Sequence, residues 1–382
     1  MIRSPAIGIG LLGPAGIGQV HAHAYTLVPR VFWPPTAVPR LVRVCGRQKA
    51  RAEVTRERYG FETAGDRWQE LVDDPNVQLV DNCTPNHLHR EPCLAAIEAG
   101  KHVFCEKPLG RSASEARTLR DAAHQAGIVH MVGFNYRFLP AVQLAHRLVT
   151  ESRLGRLLQF RARFADNAFL DPEAPFTWHQ DATLAGSNTV LDVGSHLIDL
   201  ARYLVGEPVR VTGALATFTR ERPEPATGGR RRVETEDAFE ATIEFADGAL
   251  GNLAASNVVA GRRAHLTFEL NGTRGTVAFD LERLNSLFVH FVEDVPGGGG
   301  LREIHVTDPN HPYGGDWWPP GHGIGWDATI VHELHHLLTA ISTGRSVAPL
   351  GATFEDGYRC AVVCDAIMEA ARTGQRVVVG GS

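Results

Sequence analysis

The sequence predicts an α/β domain with a parallel sheet, followed by an α+β domain with a mostly antiparallel sheet. At 382 residues the chain is longer than one hydrophobic core comfortably supports, so two domains are expected. Strand-like and helix-like segments alternate over roughly the first 135 residues, whereas later strand-like segments follow one another through short turns. We therefore expect domains at residues 1–135 and 136–382.

The N-terminal domain is predicted from apolar runs that have the length and composition of buried strands. Stretches with helical period separate these runs, and such alternation is typical of a parallel sheet with helices on both faces. The predicted strands are residues 6–12, 41–45, 77–83, 102–105 and 128–132. The predicted helices between them include residues 48–59, 91–99 and 112–126.

The C-terminal domain is predicted from strand-like segments joined by short turns, which favour antiparallel pairing. These segments are residues 156–163, 209–218, 239–245, 249–257, 265–272 and 275–279. Two further stretches, 220–232 and 293–300, have the composition of loops. The mixed charges of the first predict a solvated segment.

A glycine-rich stretch near the N-terminus contains two overlapping matches to the fingerprint GxGxxG. Gly8, Gly10 and Gly13 match every letter, whereas the second match, from Gly13 to Gly18, needs Ala15 in the middle. Gly8 and Gly10 lie inside the first predicted strand, so they cannot form the turn that follows it. We therefore expect the second match, at the start of the next helix, to bind a pyrophosphate.

Polar residues follow two neighbouring predicted strands at the point where each strand ends. Ligands of an open parallel sheet bind outside the carboxyl ends of its strands, so these residues predict a binding site. Each residue alone also fits a simple turn or a surface position. The first group is Thr84, Pro85, Asn86 and His89, and the second is Glu106, Lys107 and Pro108.

Motifs along nearly the whole chain carry a family resemblance. They are the glycine turn, CTPNHLH at 83–89, AGKHVFCEKP at 99–108, VGFNYR at 132–137 and DVGSH at 192–196. Together they closely resemble the Gfo/Idh/MocA oxidoreductases, and the Glu-Lys-Pro motif is the most specific of them. The resemblance implies a Rossmann domain, an open antiparallel sheet in the C-terminal domain, a nicotinamide cofactor and a homo-oligomer, either a dimer or a tetramer.

The same resemblance implies the class of substrate. Segments 31–35 and 311–314 are most similar to family members that act on sugar rings. We therefore expect a small carbohydrate, anhydrosugar or polyol, with a hydride moving between the nicotinamide and a secondary hydroxyl group.

The segment 191–206 holds candidates for proton transfer. If it is one helix, Asp192, His196, Asp199 and Tyr203 share a polar face, which without further context is usually solvated. The resemblance instead implies that His196 is the acid/base residue and that Asp192 positions the substrate. Histidine suits this task, since its usual pKa of about 6.5 permits proton exchange near neutral pH. Lys107 is expected to hydrogen-bond the reacting oxygen and to favour its developing negative charge.

The motifs and the resemblance together give the full set of site residues. A cis bond is expected before Pro108, as in many family members. The substrate-binding candidates are Lys107, Tyr136, Arg137, Asp192 and His196. The cofactor-binding candidates are Gly13, Ala15, Gly16, Ile17, Gly18, Gly46, Arg47, Thr84, Pro85, Asn86, His89, Glu106, Lys107 and Asn135.

The end of the second predicted strand bears on the choice between nicotinamide cofactors. Rossmann enzymes that prefer NAD usually place Asp or Glu there, which binds the ribose hydroxyls of adenosine. This chain has Gly46 and Arg47 instead. Gly46 is expected to leave room, and the guanidinium of Arg47 suits a 2′-phosphate. The sequence therefore favours NADP, with NAD as the alternative.

A zinc hydrolase is a competing interpretation. The motif HELHH at 332–336 fits HExxH, in which His332 and His336 would bind zinc and Glu333 would act as base. However, Thr339 and Ser342 stand where the metzincin continuation needs glycine and histidine. We expect instead a partly exposed helix with clustered histidines, and no metal.

A second alternative is a regulator with the same fold that binds a nucleotide or sugar without catalysis. The joint presence of Lys107, Asp192 and His196 argues against it, because a sensor does not need proton-handling groups.

Composition argues against several partners and compartments. The net charge of −5 and the pI near 6.4 give no reason to expect nucleic acid or an anionic membrane surface. We expect no secretory signal and no membrane span. The six cysteines lack a CxxC spacing, which favours a reduced, cytoplasmic protein.

Overall fold

The computed structural model describes residues 4–294 and 299–380. It divides into two compact units, Met1–Phe138 with Gly325–Tyr358, and Leu139–Ile324 with Arg359–Ser382. Both units are discontinuous in the sequence, whereas the sequence analysis expects a single division between residues 135 and 136. That division stays a prediction.

The first unit contains a parallel sheet of six strands. The strands are β1 (Ala6–Leu12), β2 (Val38–Cys45), β3 (Thr63–Gly65), β4 (Leu79–Asn82), β5 (His102–Cys105) and β6 (His130–Val132). Their order is β3-β2-β1-β4-β5-β6, and every pairing is parallel. The predicted α/β fold is therefore confirmed. Strand β3 was not predicted, because its sequence TAG contains no apolar run.

Five helices connect these strands. They are α1 (Ile17–Val31), α2 (Lys49–Tyr59), α3 (Gln69–Asp73), α4 (Arg90–Glu98) and α5 (Ala113–Ala126). Ser112 caps α5 by accepting a hydrogen bond from the Glu115 amide, and Gly127 ends it in the left-handed conformation. The apolar residues of β1 and α1 pack into one core with those of β2 and α2, including Leu11, Ala22 and Val44.

The second unit contains a sheet of nine strands. In chain order these are β7 (Leu157–Ala165), β8 (Pro208–Ala216), β11 (Ala238–Phe245), β12 (Leu250–Ser256), β13 (His265–Gly272), β14 (Gly275–Asp280), β15 (Ser286–Phe291), β16 (Arg302–His305) and β17 (Val377–Val378). The order β16-β15-β14-β13-β7-β12-β11-β8-β17 describes an open sheet. Among the described residues of this sheet, β7 and β12 pair in parallel and all other neighbouring strands pair antiparallel. The predicted, mostly antiparallel sheet is therefore confirmed. Strands β15, β16 and β17 were not predicted.

The remaining helices are distributed over both units. Helices α6 (Pro140–Thr150), α7 (Ala182–Ala185), α8 (Thr189–Asp192) and α9 (Gly194–Leu204) belong to the second unit. Helix α10 (Ala328–Thr343) belongs to the first unit and contacts α1, and α11 (Phe354–Thr373) follows it. Within the described residues, every helix is too short or too polar to cross a membrane.

The stretch 220–232 is a hairpin and not a loop, although most of it is exposed, as expected. Strands β9 (Glu221–Glu224) and β10 (Gly229–Arg232) pair antiparallel. Arg222 is completely buried, and its guanidinium donates to the carbonyl oxygens of Asp171 at 2.7 Å and Phe169 at 2.5 Å. These backbone acceptors compensate for burial of the charge, which composition alone does not reveal. Of the other expected loop, residues 295–298 lie outside the described residues.

Candidate active site

The predicted glycine turn lies directly between β1 and α1. Gly13 has φ +95°, and Gly16, the residue before α1, has φ +54°. A Cβ at Gly18 would lie 1.9 Å from the Gly13 carbonyl oxygen, so helix and turn approach too closely for any side chain. The turn therefore needs glycine at three positions for reasons of backbone geometry.

The strand glycines have a different role, as expected from their place in β1. A Cβ at Gly8 would lie 1.8 Å from the Asn76 carbonyl oxygen, and one at Gly10 would lie 2.9 Å from the side chains of Leu71 and Val77. These two glycines let neighbouring chain segments pack closely against the strand. The exact match to GxGxxG thus reflects close packing around β1.

The turn fits the pyrophosphate of a dinucleotide. Ala15 and Gly16 are exposed, and a Cβ at Gly16 would meet no described atom within 4 Å. A ligand can therefore approach the backbone at this point. The amides of Gly18 and Gln19 donate to the carbonyl oxygens of Ala15 and Gly16, both at 3.1 Å, and the dipole at the start of α1 favours an anion at the turn. Direct contact between these residues and a cofactor stays a prediction.

The end of β2 differs in one respect from the expectation. A Cβ at Gly46 would lie 2.3 Å from Cδ of Pro14, so the Pro14 ring fills the space that the sequence analysis expected to be free. The Pro14 carbonyl also accepts a hydrogen bond from Thr55 Oγ1 at 3.2 Å, which holds the turn against α2. Arg47 is exposed. Two other cations at the start of α2, Lys49 and Arg51, are also exposed.

The turns after β4 and β5 are joined by His89. Its Nδ1 lies 2.8 Å from the Pro108 carbonyl oxygen, and its Nε2 lies 2.8 Å from the Thr84 carbonyl oxygen. The ring is buried, and burial lowers its pKa. Both ring nitrogens thus face protein carbonyls, although the sequence analysis expected a cofactor contact. The bond between Lys107 and Pro108 is cis, as expected.

The first of these turns is also held by the last residue of β4. Asn82 Oδ1 accepts hydrogen bonds from the Thr84 amide at 3.2 Å and from Thr84 Oγ1 at 2.6 Å. Asn86 is buried in the 3₁₀ turn Asn86–Leu88, directly after Pro85. The polar residues that the sequence placed at this strand end therefore do lie at the carboxyl edge of the sheet.

A buried ionic network next to Lys107 was missed by the sequence analysis. His21 Nδ1 lies 2.9 Å from Asp81 Oδ2, and His21 Nε2 lies 3.1 Å from Glu106 Oε1. Burial lowers the pKa of His21, but the charge of Asp81 and its hydrogen bond outweigh burial and raise the pKa well above 6.5. The available signal was an aspartate within the buried strand predicted at 77–83.

The segment after β6 is buried rather than exposed as a loop. Asn135, Tyr136 and Arg137 form the 3₁₀ helix Asn135–Phe138, and all three are buried. Asn135 Nδ2 donates to Thr329 Oγ1 at 2.8 Å, and Arg137 pairs with Asp356 at 3.4 Å. The C-terminal part of the first unit thus supports this segment.

The catalytic candidates of the second unit lie on two helices rather than one. Helix α8 ends at Asp192 and α9 begins at Gly194, so the single helix expected over 191–206 is interrupted at Val193. A Cβ at Gly194 would lie 2.6 Å from Cε1 of Phe239, which shows how closely α9 packs on β11.

The polar face of α9 is buried, not solvated. His196 is 7% exposed and stacks on Phe164 with a centroid distance of 6.4 Å, and Asp199 is 1% exposed. Tyr203 stacks on His146 at 4.1 Å. A polar face enclosed in this way is consistent with the role that the resemblance implies for His196.

The residues of the HExxH motif are buried or contact the protein backbone. His332 and Glu333 are completely buried, so the expectation of a partly exposed helix is wrong at these positions. His332 Nδ1 lies 3.0 Å from the Phe138 carbonyl oxygen, and His336 Nε2 lies 2.7 Å from the Val347 carbonyl oxygen. Burial lowers the pKa of His332 to about 3. Each histidine therefore directs a ring nitrogen at the backbone.

Two family models match the chain. Residues 7–134 match an oxidoreductase family with an NAD-binding Rossmann fold, and residues 142–278 match the GFO/IDH/MocA C-terminal domain. A levoglucosan dehydrogenase from Pseudarthrobacter phenanthrenivorans is 40% identical over 379 residues, which is 96% of this chain and 96% of the relative. The chain belongs to the Gfo/Idh/MocA family of oxidoreductases. The predicted family and its NAD-binding Rossmann fold are confirmed.

A solved structure and a second relative extend the comparison. The solved structure of levoglucosan dehydrogenase in complex with NADH and levoglucosan has a TM-score of 0.94 at 40% identity, covering 99% of this chain and 100% of that chain. D-xylose 1-dehydrogenase (NADP(+)) 2 from Haloferax volcanii is 32% identical over 71% of this chain and 83% of its own length. The names of these relatives include both nicotinamide cofactors, so NADP preference stays a prediction, as do a cytoplasmic location and a homo-oligomer.

Proposed function

We propose that this protein is a dehydrogenase that transfers a hydride between a nicotinamide cofactor and a secondary hydroxyl group of a sugar, with anhydrosugars as the first substrate class to test. The observation that carries the proposal is the match to levoglucosan dehydrogenase, at 40% identity over 96% of both chains. The match extends over nearly the whole of both chains, which supports a shared reaction class.

Oxidation of a secondary alcohol requires removal of a proton from oxygen and a hydride from carbon. The bound nicotinamide supplies the hydride acceptor, and the glycine turn Gly13–Gly18 would hold its pyrophosphate. The protein must accept the proton and orient the substrate. We assign proton transfer to His196, orientation of the sugar to Asp192, and stabilisation of the developing negative charge on oxygen to Lys107.

We assign Tyr136 and Arg137 to the part of the site that binds the substrate and the nicotinamide. Their burial next to Asn135 favours a fixed position over a mobile surface role. Thr84, Pro85, Asn86 and Glu106 remain assigned to the cofactor, because they lie at the carboxyl ends of β4 and β5.

Turnover tests this function directly. The purified protein is incubated with NAD or NADP and a panel of levoglucosan, inositol, glucose and xylose, and reduced nicotinamide is followed by absorbance. Growth of absorbance with at least one sugar is expected. If both cofactors bind but none of the sugars is oxidised, and no ketosugar is reduced, the regulator alternative is favoured.

We infer further that NADP is the favoured cofactor. The acid that binds the adenosine ribose in NAD enzymes is replaced by Gly46, and the exposed cations Arg47, Lys49 and Arg51 follow it. These charges favour a 2′-phosphate over a ribose hydroxyl. NAD remains the alternative.

A homo-oligomer in the cytoplasm completes the proposal. On β7, Phe160, Ala162 and Phe164 are buried, whereas Arg161 and Arg163 are exposed, so this strand has one open face. A second copy of the chain would cover such a face. Light scattering coupled to size-exclusion chromatography tests this, and the mass of a monomer at micromolar concentration would contradict it.

A further inference from the structure

The residue before Lys107 belongs to a network of buried charged side chains. His21 on α1 binds Asp81 through Nδ1 at 2.9 Å and Glu106 through Nε2 at 3.1 Å. The other oxygen of Glu106, Oε2, accepts the backbone N–H of Lys107 at 3.0 Å. His21 and Asp81 are 0% exposed, and Glu106 is 6% exposed. Two side chains, His21 and Glu106, thus connect the first helix to the backbone of Lys107, and Asp81 binds the opposite side of His21.

The hydrogen-bond pattern defines the charge of the ring. Each ring nitrogen of His21 lies within hydrogen-bond distance of a carboxylate oxygen. Burial lowers the pKa of His21, but the charge of Asp81 raises this pKa well above 6.5, so we assign both nitrogens as donors and the ring as an imidazolium. Tyr25 donates to Asp81 Oδ2 at 2.9 Å, and Cys83 donates to Asp81 Oδ1 at 3.3 Å. Burial, together with the charge of Asp81, raises the pKa of Tyr25 and of Cys83 well above their usual values, so both keep their protons.

Groups from β5, from α10 and from the segment after β6 surround this network. The edge of the Phe104 ring faces His21 at a centroid distance of 5.1 Å, and the charge of Glu333 on α10 acts on Tyr25. A Cβ at Gly133 would lie 2.8 Å from Glu106 Oε1, so the carboxylate occupies the space that a side chain there would fill. Glu106 is therefore held by His21 on one side and by the backbone at Gly133 on the other.

We propose that His21 is a positioning residue of the dehydrogenase, which holds the Glu106 carboxylate so that this carboxylate fixes the backbone, and thereby the ammonium group, of Lys107. The inference rests on the role of Lys107 proposed above. Without the imidazolium, Glu106 loses a charged donor in a buried place, and it must rotate or take up a proton. Either change weakens its bond to the Lys107 amide. The loss falls on the chemical step, because Lys107 acts on the reacting oxygen.

His21→Gln tests the proposal against a matched control, Tyr25→Phe. Glutamine carries both its N–H groups on one nitrogen, so it cannot donate to Asp81 and Glu106 from opposite sides as the imidazolium does. We expect kcat at saturating cofactor to fall at least about tenfold, and the KM for cofactor to rise as well, because Glu106 is also assigned to the cofactor. Tyr25→Phe removes another donor to the same Asp81 oxygen but leaves the bond between His21 and Glu106. Its kcat is expected to stay within about twofold of the wild type.

A double-mutant cycle separates positioning from general structural damage. If His21 acts through Lys107, then His21→Gln has no further effect on kcat once Lys107 is methionine. Equal losses in both backgrounds would overturn the inference, as would normal kcat in His21→Gln. Normal turnover in Lys107→Met alone would instead refute the proposed role of Lys107, and the present inference with it.

If His21→Gln does not fold, two other measurements test the proposal. Glu106→Gln keeps the size of the side chain but places a donor opposite the Lys107 amide, and the same loss of kcat, non-additive with Lys107→Met, is expected. In the wild type, nitrogen NMR of labelled histidine reports the ring directly, and the resonance perturbed by Tyr25→Phe identifies His21. Both nitrogens should be protonated at neutral pH, where an imidazole of ordinary pKa is mostly neutral. A ring that is neutral at pH 7 overturns the inference.

Discussion

The Nε2 atom of His89 lies 2.8 Å from the carbonyl oxygen of Thr84. The opposite nitrogen of the same ring lies equally close, at 2.8 Å, to the carbonyl of Pro108, so one imidazole connects the turns after β4 and β5. The positions of the cofactor residues expected on both turns therefore depend on His89, whose own ring nitrogens face protein carbonyls.

His89→Ala is expected to weaken cofactor binding about tenfold, because both turns lose their common partner and a buried carbonyl loses its donor. Calorimetric titration with the reduced cofactor measures this. Leu88→Ala is the control, since Leu88 is adjacent but 45% exposed, and it should bind as the wild type does. Equal weakening in both variants would contradict a specific role for His89.

Lys107→Met is expected to lower turnover at least about a hundredfold, the effect of losing about 3 kcal/mol of stabilisation at the reacting oxygen. Cofactor affinity should stay within about threefold. Lys101→Met provides a contrasting control, because Lys101 Nζ donates to the carbonyl oxygens of Asp74 at 2.8 Å and Val77 at 2.6 Å. That variant should lose stability in thermal unfolding but keep kcat. The reverse pattern would exclude Lys107 from the mechanism.

His196→Ala is expected to lose most of the rate together with the acidic limb of the pH–rate profile. Acid protonates the proposed base and so slows the wild type, whereas a variant without the base lacks this limb. Steady-state rates of oxidation across pH measure both effects. A slow variant with an unchanged profile would assign proton transfer to another group.

Arg47→Ala is expected to reduce affinity for NADP about ten- to a hundredfold and to leave affinity for NAD unchanged, since only NADP carries the 2′-phosphate. Dissociation constants for both cofactors, in both proteins, provide the comparison. Arg58→Ala, at the other end of α2 and also exposed, controls for the general loss of positive charge. Tighter binding of NAD than of NADP by the wild type would reject the assignment.

Stability is expected to fall in mild acid because of His332. Its folded pKa of about 3 lies below the usual 6.5, so the unfolded chain takes up a proton that the folded chain does not. The free energy of unfolding is unaffected by this proton above about pH 6.5. It decreases as the pH falls towards about 3, and at about pH 4.5 the loss due to His332 is about 2 to 3 kcal/mol.

His332→Asn tests this origin of acid sensitivity, because asparagine keeps a donor for the Phe138 carbonyl but does not titrate in this range. Denaturant unfolding at neutral pH and at about pH 4.5 gives the free energies, and equal m-values confirm that both proteins unfold alike. The variant should lose about 2 kcal/mol less than the wild type. An identical loss in both proteins would place the effect on other groups, such as His335, whose pKa burial lowers to about 4.

Local sequence patterns predicted the elements, whereas contacts between distant segments were not predictable. Strands β1, β5 and β13 have the predicted bounds, because each is an apolar or alternating run with clear ends. His21 meets partners 60 and 85 residues away, and a single sequence contains no direct signal for such pairs. Burial of Arg222 was missed for the same reason, since its acceptors are backbone carbonyls about 50 residues earlier in the chain.

The contact between Pro14 and Gly46 makes these two positions depend on each other during any change of cofactor. A carboxylate introduced at residue 46 alone would bring its Cβ to 2.3 Å from the Pro14 ring, so the backbone would have to move before the acid could reach a ribose. Pro14 must therefore be substituted first, because Gly46→Asp fits the fold only when the Pro14 ring is absent. If NADP is the favoured cofactor, as proposed, the order of mutations, and not only their identity, determines whether this enzyme can be redirected towards NAD.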